Sequence, residues 1–289
     1  MIVFPDPNVE TEYTDPNGVD WVFDGTGWVK QCDCPDDSPS ADGHFSKVSM
    51  LIDGSFNGYA SPIDLTGNHA FDSSGTTQEL NEQKHGQACV KFGNGNARME
   101  ATPASYLLTL GRNPFTVEFW LRWSVMDGTR QHIVDARDGS SASPDSTWRI
   151  LFRNGNMEWA GSTNHSWGGV MGAADTWAHY AFVKNGSTLT LYVDGKSQGS
   201  FTDSNFYITQ RFFIAKNYSN NEGIRNGYLD DFRITLGMAR YLSDFTPPEE
   251  LPKGGRMTAK IRDEVFKRWK DEQLNKESTE GGDNDADLS

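Results

Sequence analysis

The chain has 289 residues, enough for one large β-sandwich with appendages, since all-β domains of about 200–250 residues commonly share a single core. Its formal charge of −14 repels a phosphate backbone, whose binding proteins neutralise phosphates with Lys and Arg, so nucleic acid is not an expected partner. No apolar run approaches the ~20 residues that cross a bilayer, and 29 glycines with an aromatic share of 12% suit many turns and short strands better than helices.

The start, Met1-Ile2-Val3-Phe4-Pro5, lacks the basic and then apolar pattern of a secretory signal. Asp15-Pro16-Asn17-Gly18 is a turn signal, because Asn-Gly readily takes the positive φ angles of a tight hairpin. Val19 to Phe23, the turn Asp24-Gly25-Thr26-Gly27 and Trp28-Val29-Lys30 then complete a small β-meander, too small to fold without a partner surface. Three cysteines, Cys32, Cys34 and Cys89, cannot form an all-paired disulfide set, so assembly in a reducing cytoplasm is expected. Cys32-Asp33-Cys34 has one intervening residue and no companion Cys/His pair, which fits two thiols in an acidic loop better than structural zinc. Cys34 to Gly43 has the composition of a linker, closing an N-terminal segment of residues 1–45.

Beyond it, Phe115, Val117, Phe119, Leu121 and Trp123 alternate with Thr116, Glu118, Trp120 and Arg122, the period of a strand with one face in a core. Leu189, Leu191 and Val193 alternate in the same way, and Asp194-Gly195 turns the chain into a hairpin with Gln198 to Phe201. Short strands separated by Gly-rich turns predict an all-β, two-sheet antiparallel sandwich over 46–252. Lys253-Gly254-Gly255 breaks the pattern, and Met257 to Leu274 is rich in helix formers. The pairs Asp263/Lys267 and Glu264/Arg268 support a C-terminal α-helix over 253–276, with a thin apolar stripe of Ile261, Val265 and Trp269. The acidic tail 277–289 is expected to be disordered.

The run Gly227-Tyr228-Leu229-Asp230-Asp231-Phe232-Arg233-Ile234-Thr235, followed by Leu236 to Tyr241 and Phe245-Thr246-Pro247-Pro248, resembles the closing signature of the laminin-G-like (concanavalin A-like) jelly rolls of tailed-bacteriophage virion proteins. Upstream, in the family's order, Leu51-Ile52-Asp53-Gly54 is similar to its opening strand and Asp72-Ser73-Ser74-Gly75 to the loop after it. Gly86 to Phe92, Phe115 to Trp120, Thr176 to Tyr180 and Leu189 to Gly195 resemble the strands that follow, so the likeness covers Val48 to Pro252. The N-terminal segment is similar to short Pro-Asn-Gly, Asp-Gly and Gly-Trp-Val units between domains of phage appendages; the alternative is a strand group packed on its own jelly roll.

The resemblance implies a non-enzymatic structural or appendage protein, located in the virion and assembled in the host cytoplasm. Other virion proteins of the capsid or tail would be its partners, attached through the N-terminal meander or the C-terminal helix. A carbohydrate-binding adhesin for host surface glycans shares the fold and is the second reading. Homo-oligomers are common among such appendages, although no heptad run demands one here.

Concanavalin A-like folds also house glycan hydrolases, which need two carboxylates across the scissile bond. Retaining glucanases of this class carry Glu-x-Asp-x-x-Glu on one strand, whereas the matching strand here has only Glu118, so no enzyme is expected. Gly-x-Ser-x-Gly is absent too, and Ser143 to Trp148 reads as a loop entering the strand Trp148 to Phe152. His179, beside Trp177, Ala181 and Val183, reads as a hydrogen-bonded core histidine; His132 and His165 carry no assignment. In related jelly rolls an aspartate of the closing strand joins the opening strand around structural calcium, and the matching positions are Asp230 or Asp231 with Asp53. Strand alternation places Asp230 and Asp231 on opposite faces. The alternative is that one of them accepts backbone hydrogen bonds and the other pairs with Arg233 or Arg240. A glycan site needs aromatic faces beside polar groups, for which Trp159, Asn164, His165 and Trp167 around a polar loop, and Asn217 with Tyr218, are the candidates. The alternative role of these aromatics is to fill the sandwich.

Overall fold

The computed structural model describes residues 12–14, 20–23, 28–30 and most of 44–249, apart from 57–60, 103–105, 125–127, 138–146, 171–172 and 220–221. Cys32, Cys34, the expected helix over 253–276 and the acidic tail lie outside the described residues. The chain divides into two compact units. The first contains β1 (Glu12–Thr14), β2 (Asp20–Phe23) and β3 (Trp28–Lys30), an antiparallel meander in which Trp21 stands opposite both Tyr13 and Lys30.

The second unit contains the sandwich. Its strands are β4 (Val48–Ile52), β5 (Ala70–Ser74), β6 (Thr76–Glu79), β7 (Cys89–Asn94), β8 (Arg98–Thr102), β9 (Phe115–Trp123), β10 (Gln131–Asp135) and β11 (Arg149–Arg153). They continue with β12 (Asn156–Ala160), β13 (Asn164–Gly168), β14 (Ala178–Asn185), β15 (Thr188–Val193), β16 (Lys196–Thr202), β17 (Phe213–Ile214) and β18 (Arg225–Leu236). One sheet has seven strands in the order β13-β12-β11-β10-β17-β8-β5; the other has eight, β16-β15-β14-β9-β18-β7-β6, with β4 also paired to β18. Every pairing of these strands is antiparallel. Among the described residues no α-helix occurs.

Of residues 72–75, expected as a loop, Asp72 to Ser74 are strand and close β5 in one sheet, while Gly75, at φ +68°, is the bend that starts the chain into β6 of the other. Gly54 is fixed by space, because a Cβ there would lie 2.4 Å from the Cα of Cys89. The expected hairpin is present as β15–β16, joined at Asp194-Gly195.

The core between the sheets is aromatic. Phe119 stacks on Phe232 at 5.9 Å and on Tyr180 at 5.7 Å, and Trp159 is stacked with Trp148 at 5.1 Å and with Phe115 at 5.4 Å. Offset and edge-on arrangements of this kind add to the area each ring removes from water. The other side of β9 departs from the simple alternation: Thr116, Glu118 and Trp120 are buried as well. Residues 238–245 lie against this face, with Thr116 Oγ1 bonded to the Met238 carbonyl and Tyr241 and Phe245 packed on Ala181, Val183 and Tyr192.

Phe119→Ala and Phe232→Ala are each expected to lower unfolding free energy by about 3–5 kcal/mol, since both rings are fully buried. Because the rings touch, the double variant should cost less than the two single losses added. Urea melts of the three variants check both statements; near-normal melting would mean that neither ring holds the sheets together.

Candidate functional site: the outer face of the seven-stranded sheet

Strand register aligns one residue from each of seven strands in a row: Asp72, Glu100, Phe213, Asp135, Arg149, Ala160 and Asn164. Their sequence neighbours Phe71, Met99, Ile214, Val134, Ile150 and Trp159 belong to the core. Since successive strand residues point to opposite faces, the row lies on the outer face of this sheet.

The row is built from charge laid over an apolar base. The Arg211 guanidinium lies 4.6 Å from the Phe213 ring centroid while its Nε donates to Glu100 at 2.8 Å. Arg137 donates from Nε to Asp135 at 2.8 Å and stacks over the Tyr218 ring at 4.4 Å. The Tyr218 backbone N–H donates to the same carboxylate at 3.3 Å. Arg153 donates to Glu158 at 2.9 Å, and Arg130 lies 3.7 Å from Glu222. Arg149, half-buried between them, makes no hydrogen bond or ion pair among the described residues. Burial first, and then the positive charge of Arg137, push its pKa down. His132 is held near 4, mainly by burial, so it is neutral at pH 7.

The glycan-site candidates separate. Trp159 is fully buried between Trp148 and Phe115 and offers no face to a ligand. Residues 164–168 form β13 rather than a polar loop, and its alternation turns Asn164 and Ser166 outward and His165 and Trp167 inward. Trp167 donates from Nε1 to the Gly199 carbonyl at 3.0 Å. His165 Nε2 is 2.8 Å from Asp203, a buried carboxylate that also accepts from Lys184 Nζ at 2.9 Å and from Tyr207 at 2.5 Å. Burial alone would raise Asp203, but the hydrogen bonds of Tyr207, Lys184 and His165 hold it near 2. These contacts tie the β13 edge of one sheet to β14 and β16 of the other. Asn217 is buried and engaged in its own loop, accepting from Ser219 at 2.7 Å and donating to Glu222 at 3.3 Å. Asn164 and Tyr218 thus remain, one on the row and the other against Arg137.

The three candidate calcium ligands lie near the switch of β18 from β7 to β4. Asp230 accepts backbone N–H groups from Lys84 at 2.9 Å, His85 at 3.0 Å and Asp231 at 2.9 Å. Asp231 Oδ2 lies 3.0 Å from His85 Nδ1, and Asp53 accepts the Ser55 N–H at 3.1 Å. The expectation of opposite faces is corrected: register shifts between Asp230 and Arg233, Asp231 has φ +46°, and both carboxylates turn to the loop that carries His85. The bulge cancels the alternation. Asp230 accepts backbone hydrogen bonds, as one alternative required; Asp231 meets His85, and Arg233 binds Glu118 at 2.9 and 2.8 Å. Among the described residues no group of three or more His, Cys, Asp or Glu side chains is arranged to hold a metal. Each of the three carboxylates has a protein group against at least one oxygen, and a cation there would need further oxygen ligands to reach six or more.

Glu118, on the outer face of the eight-stranded sheet, is sealed. It receives Arg233, accepts Tyr241 Oη at 2.7 Å and lies 3.3 Å from His179 Nε2. Burial would raise its pKa, but Arg233 and then His179 and Tyr241 bring it well below the carboxylate range. His179 is buried against Glu118, Trp120 and Phe245.

Two antiparallel sheets packed through an aromatic core form a sandwich of jelly-roll character. Residues 93–236 match the family model described as "Concanavalin A-like lectin/glucanases superfamily". No curated protein matches the sequence. Among solved structures, the chain is similar to the binding domain of Paraclostridial Mosquitocidal Protein 1, at 15% identity and TM-score 0.54, over 68% of this chain and 50% of that one. It is also similar to the binding domain of Botulinum neurotoxin serotype D, at 16% identity and TM-score 0.52, over 68% of this chain and 49% of that one. The chain spans about half the length of these binding domains, and the likeness concerns the fold alone.

Neither Arg149 nor Asp203 stood out in the sequence. The alternation Arg149-Ile150-Leu151-Phe152-Arg153 places both arginines on one face, but their partners come from strands whose register only the folded sheet sets. Asp203 was hidden because its partners stand 38 residues before it, 19 before it and 4 after it.

Burial, and next the charge of Asp231, push Asp230 up to about 8 from its ordinary 3.8. The folded state then holds a proton that the unfolded state has released, so Asp230 makes stability fall as pH rises from about 4 to 8. Asp230→Asn should flatten that slope, whatever its effect on the absolute level; an unchanged slope in urea melts between pH 4 and 8 would show that Asp230 is ionised throughout. Melting temperatures should also be equal in excess calcium and excess chelator. Stabilisation near 2.7 kcal/mol with calcium about a hundredfold above its dissociation constant would instead show that the carboxylates rearrange around an ion.

Proposed function

We propose that this protein is a non-catalytic recognition and display module of a tailed-phage particle, with the jelly roll held outward to bind host surface glycans. The observation that carries the non-catalytic part is the sealing of Glu118. The carboxylate best placed for glycoside cleavage is fully buried beneath Tyr241 and is neutralised by Arg233, so it cannot face a second carboxylate across a sugar bond. The recognition part is supported by the outer row, where the guanidinium of Arg149 and the amide of Asn164 share a strand-to-strand line beside the Tyr218 ring. The matched lectin and glucanase family and the binding domains of similar fold favour the same reading. Its placement on a particle rests on the resemblance of Gly227 to Thr235 and the strands before it to phage virion jelly rolls. The N-terminal meander or the segment 253–276 is then the attachment element.

A glycan array probed with the full chain, with and without calcium, should give binding that does not depend on the ion, and a reducing-sugar assay on the bound glycans should give no release. Sugar release would overturn the non-catalytic assignment, and an array at background would leave a purely architectural module. Purified particles should contain the protein; recovery only as free protein from infected cells would remove the virion role.

A further inference from the structure

We propose that Arg149 is the anchor of a subsite for the carboxylate of an acidic sugar on the outer face of the seven-stranded sheet. This inference rests on the glycan-binding reading and narrows it to a ligand class.

The other arginines on this face or at its rim each have a carboxylate beside them: Arg98 with Asp72, Arg211 with Glu100, Arg137 with Asp135, Arg153 with Glu158 and Arg130 with Glu222. Arg149, at the centre of the row between Asp135 and Ala160, has none that it bonds among the described residues. A guanidinium presents a planar fork that matches a carboxylate through two parallel hydrogen bonds, and half-burial strengthens that contact relative to open solvent. Like charge from Arg137 and Arg130 acts on Arg149, and a bound anion would relieve it. Asp135 and Glu158 are also near enough to act on Arg149, but each is held by its own arginine.

The rest of the face favours a saccharide over a simple ion. Asn164 stands two strands from Arg149 in the same row, roughly 10 Å away at the usual strand spacing, and faces solvent. Ser166 lies outward one pair further along β13. On the other side, the half-buried ring of Tyr218 is held by Arg137. A short sugar chain with its carboxylate at Arg149 can therefore meet hydroxyl-binding groups toward β13 and an aromatic ring toward β10. The chain's charge of −14 makes long-range attraction of a polyanion unfavourable, so recognition depends on this local match.

The test uses the full chain and Arg149→Gln, with sodium glucuronate as probe and glucose and sodium chloride at matched concentration as controls. The Arg149 Nε–Hε resonance, assigned by its absence from the variant, should shift saturably with glucuronate and not with glucose or chloride. On the array, Arg149→Gln should weaken binding of uronate-bearing glycans by about tenfold or more, while its melting temperature should not fall. The absence of a saturable shift at Arg149 overturns the subsite. Array binding to uronate-bearing glycans that is indifferent to Arg149→Gln overturns it too, and leaves the glycan-binding reading standing. A silent array with a saturable glucuronate shift supports the subsite and removes only the host-glycan reading.

Discussion

The last strand of the sandwich has to change partners halfway along its length, and much else in the second unit follows from how it does so. Along one edge β18 pairs with β9 from Gly227 to Leu236; along the other it meets β7 up to Leu229 and β4 from Phe232. A regular strand could not leave one neighbour and receive another without leaving peptide groups unpaired in a buried seam. The bulge at Asp230–Arg233 solves this locally: Asp231 takes a left-handed conformation, and Asp230 accepts the orphaned N–H groups of Lys84, His85 and Asp231. Asp and Asn tolerate that conformation better than other residues with a Cβ, which is why the pair Asp-Asp suits this place. The loop thus held also closes over Trp120, with Lys84 Nζ 4.3 Å from the ring centroid and His85 edge-on at 5.2 Å.

Two buried carboxylates follow a common plan at other points of the sandwich. Glu118 collects Arg233 and Tyr241; Asp203 collects Lys184, Tyr207 and His165. Taking such charges out of water is costly, and the favourable part is recovered only when nearly every lone pair has a donor. Each cluster therefore demands one geometry. The Glu118 cluster holds residues 240–241 over the eight-stranded sheet, and the Asp203 cluster clips one sheet edge to the other. Apolar residues of similar size would hold the parts together with less directional demand, so these networks act more on which packing forms than on how strongly it holds.

Much of the architecture is legible in the sequence. Phe115 to Trp123, Leu189 to Val193 and Gly227 to Thr235 are strands in the positions their alternation and family resemblance indicate, and the small meander is present at Glu12 to Lys30. The readings that failed did so for physical reasons. Asp230 and Asp231 share a side because a bulge breaks the period on which the opposite expectation rested. Trp159 and Trp167 are drawn into packing because β12 and β13 are strands whose inward positions they occupy, and Asn164 stays outside for the same reason. His179 is buried as expected, but against Glu118 on the outer face, since no periodic signal tells that residues 238–245 will cover that side. Arg149 could be placed on a face from its own strand, but not beside Arg137, because that proximity depends on the β10–β11 register.

The two outer faces consequently differ in what they can do. On the eight-stranded sheet, the face of β9 and β14 is closed: a Cβ at Gly195 would lie 1.9 Å from the Phe245 carbonyl oxygen, and the Phe245 N–H donates to the Gly195 carbonyl at 2.9 Å, so the covering segment is seated without slack. Tyr241 and Phe245 stack there at 3.6 Å over side chains that would otherwise form an apolar patch. The seven-stranded sheet keeps Asn164 and Ser166 exposed and Arg149 half-exposed along strands whose register is set by the core beneath them. A recognition surface works best when its groups are held by rigid elements before the ligand arrives, because less ordering then opposes binding. In this sandwich the solvent-facing groups of the seven-stranded sheet stand on strands fixed in that way, while on the other sheet Glu118, bound by Arg233 and Tyr241, helps to keep the outer face shut.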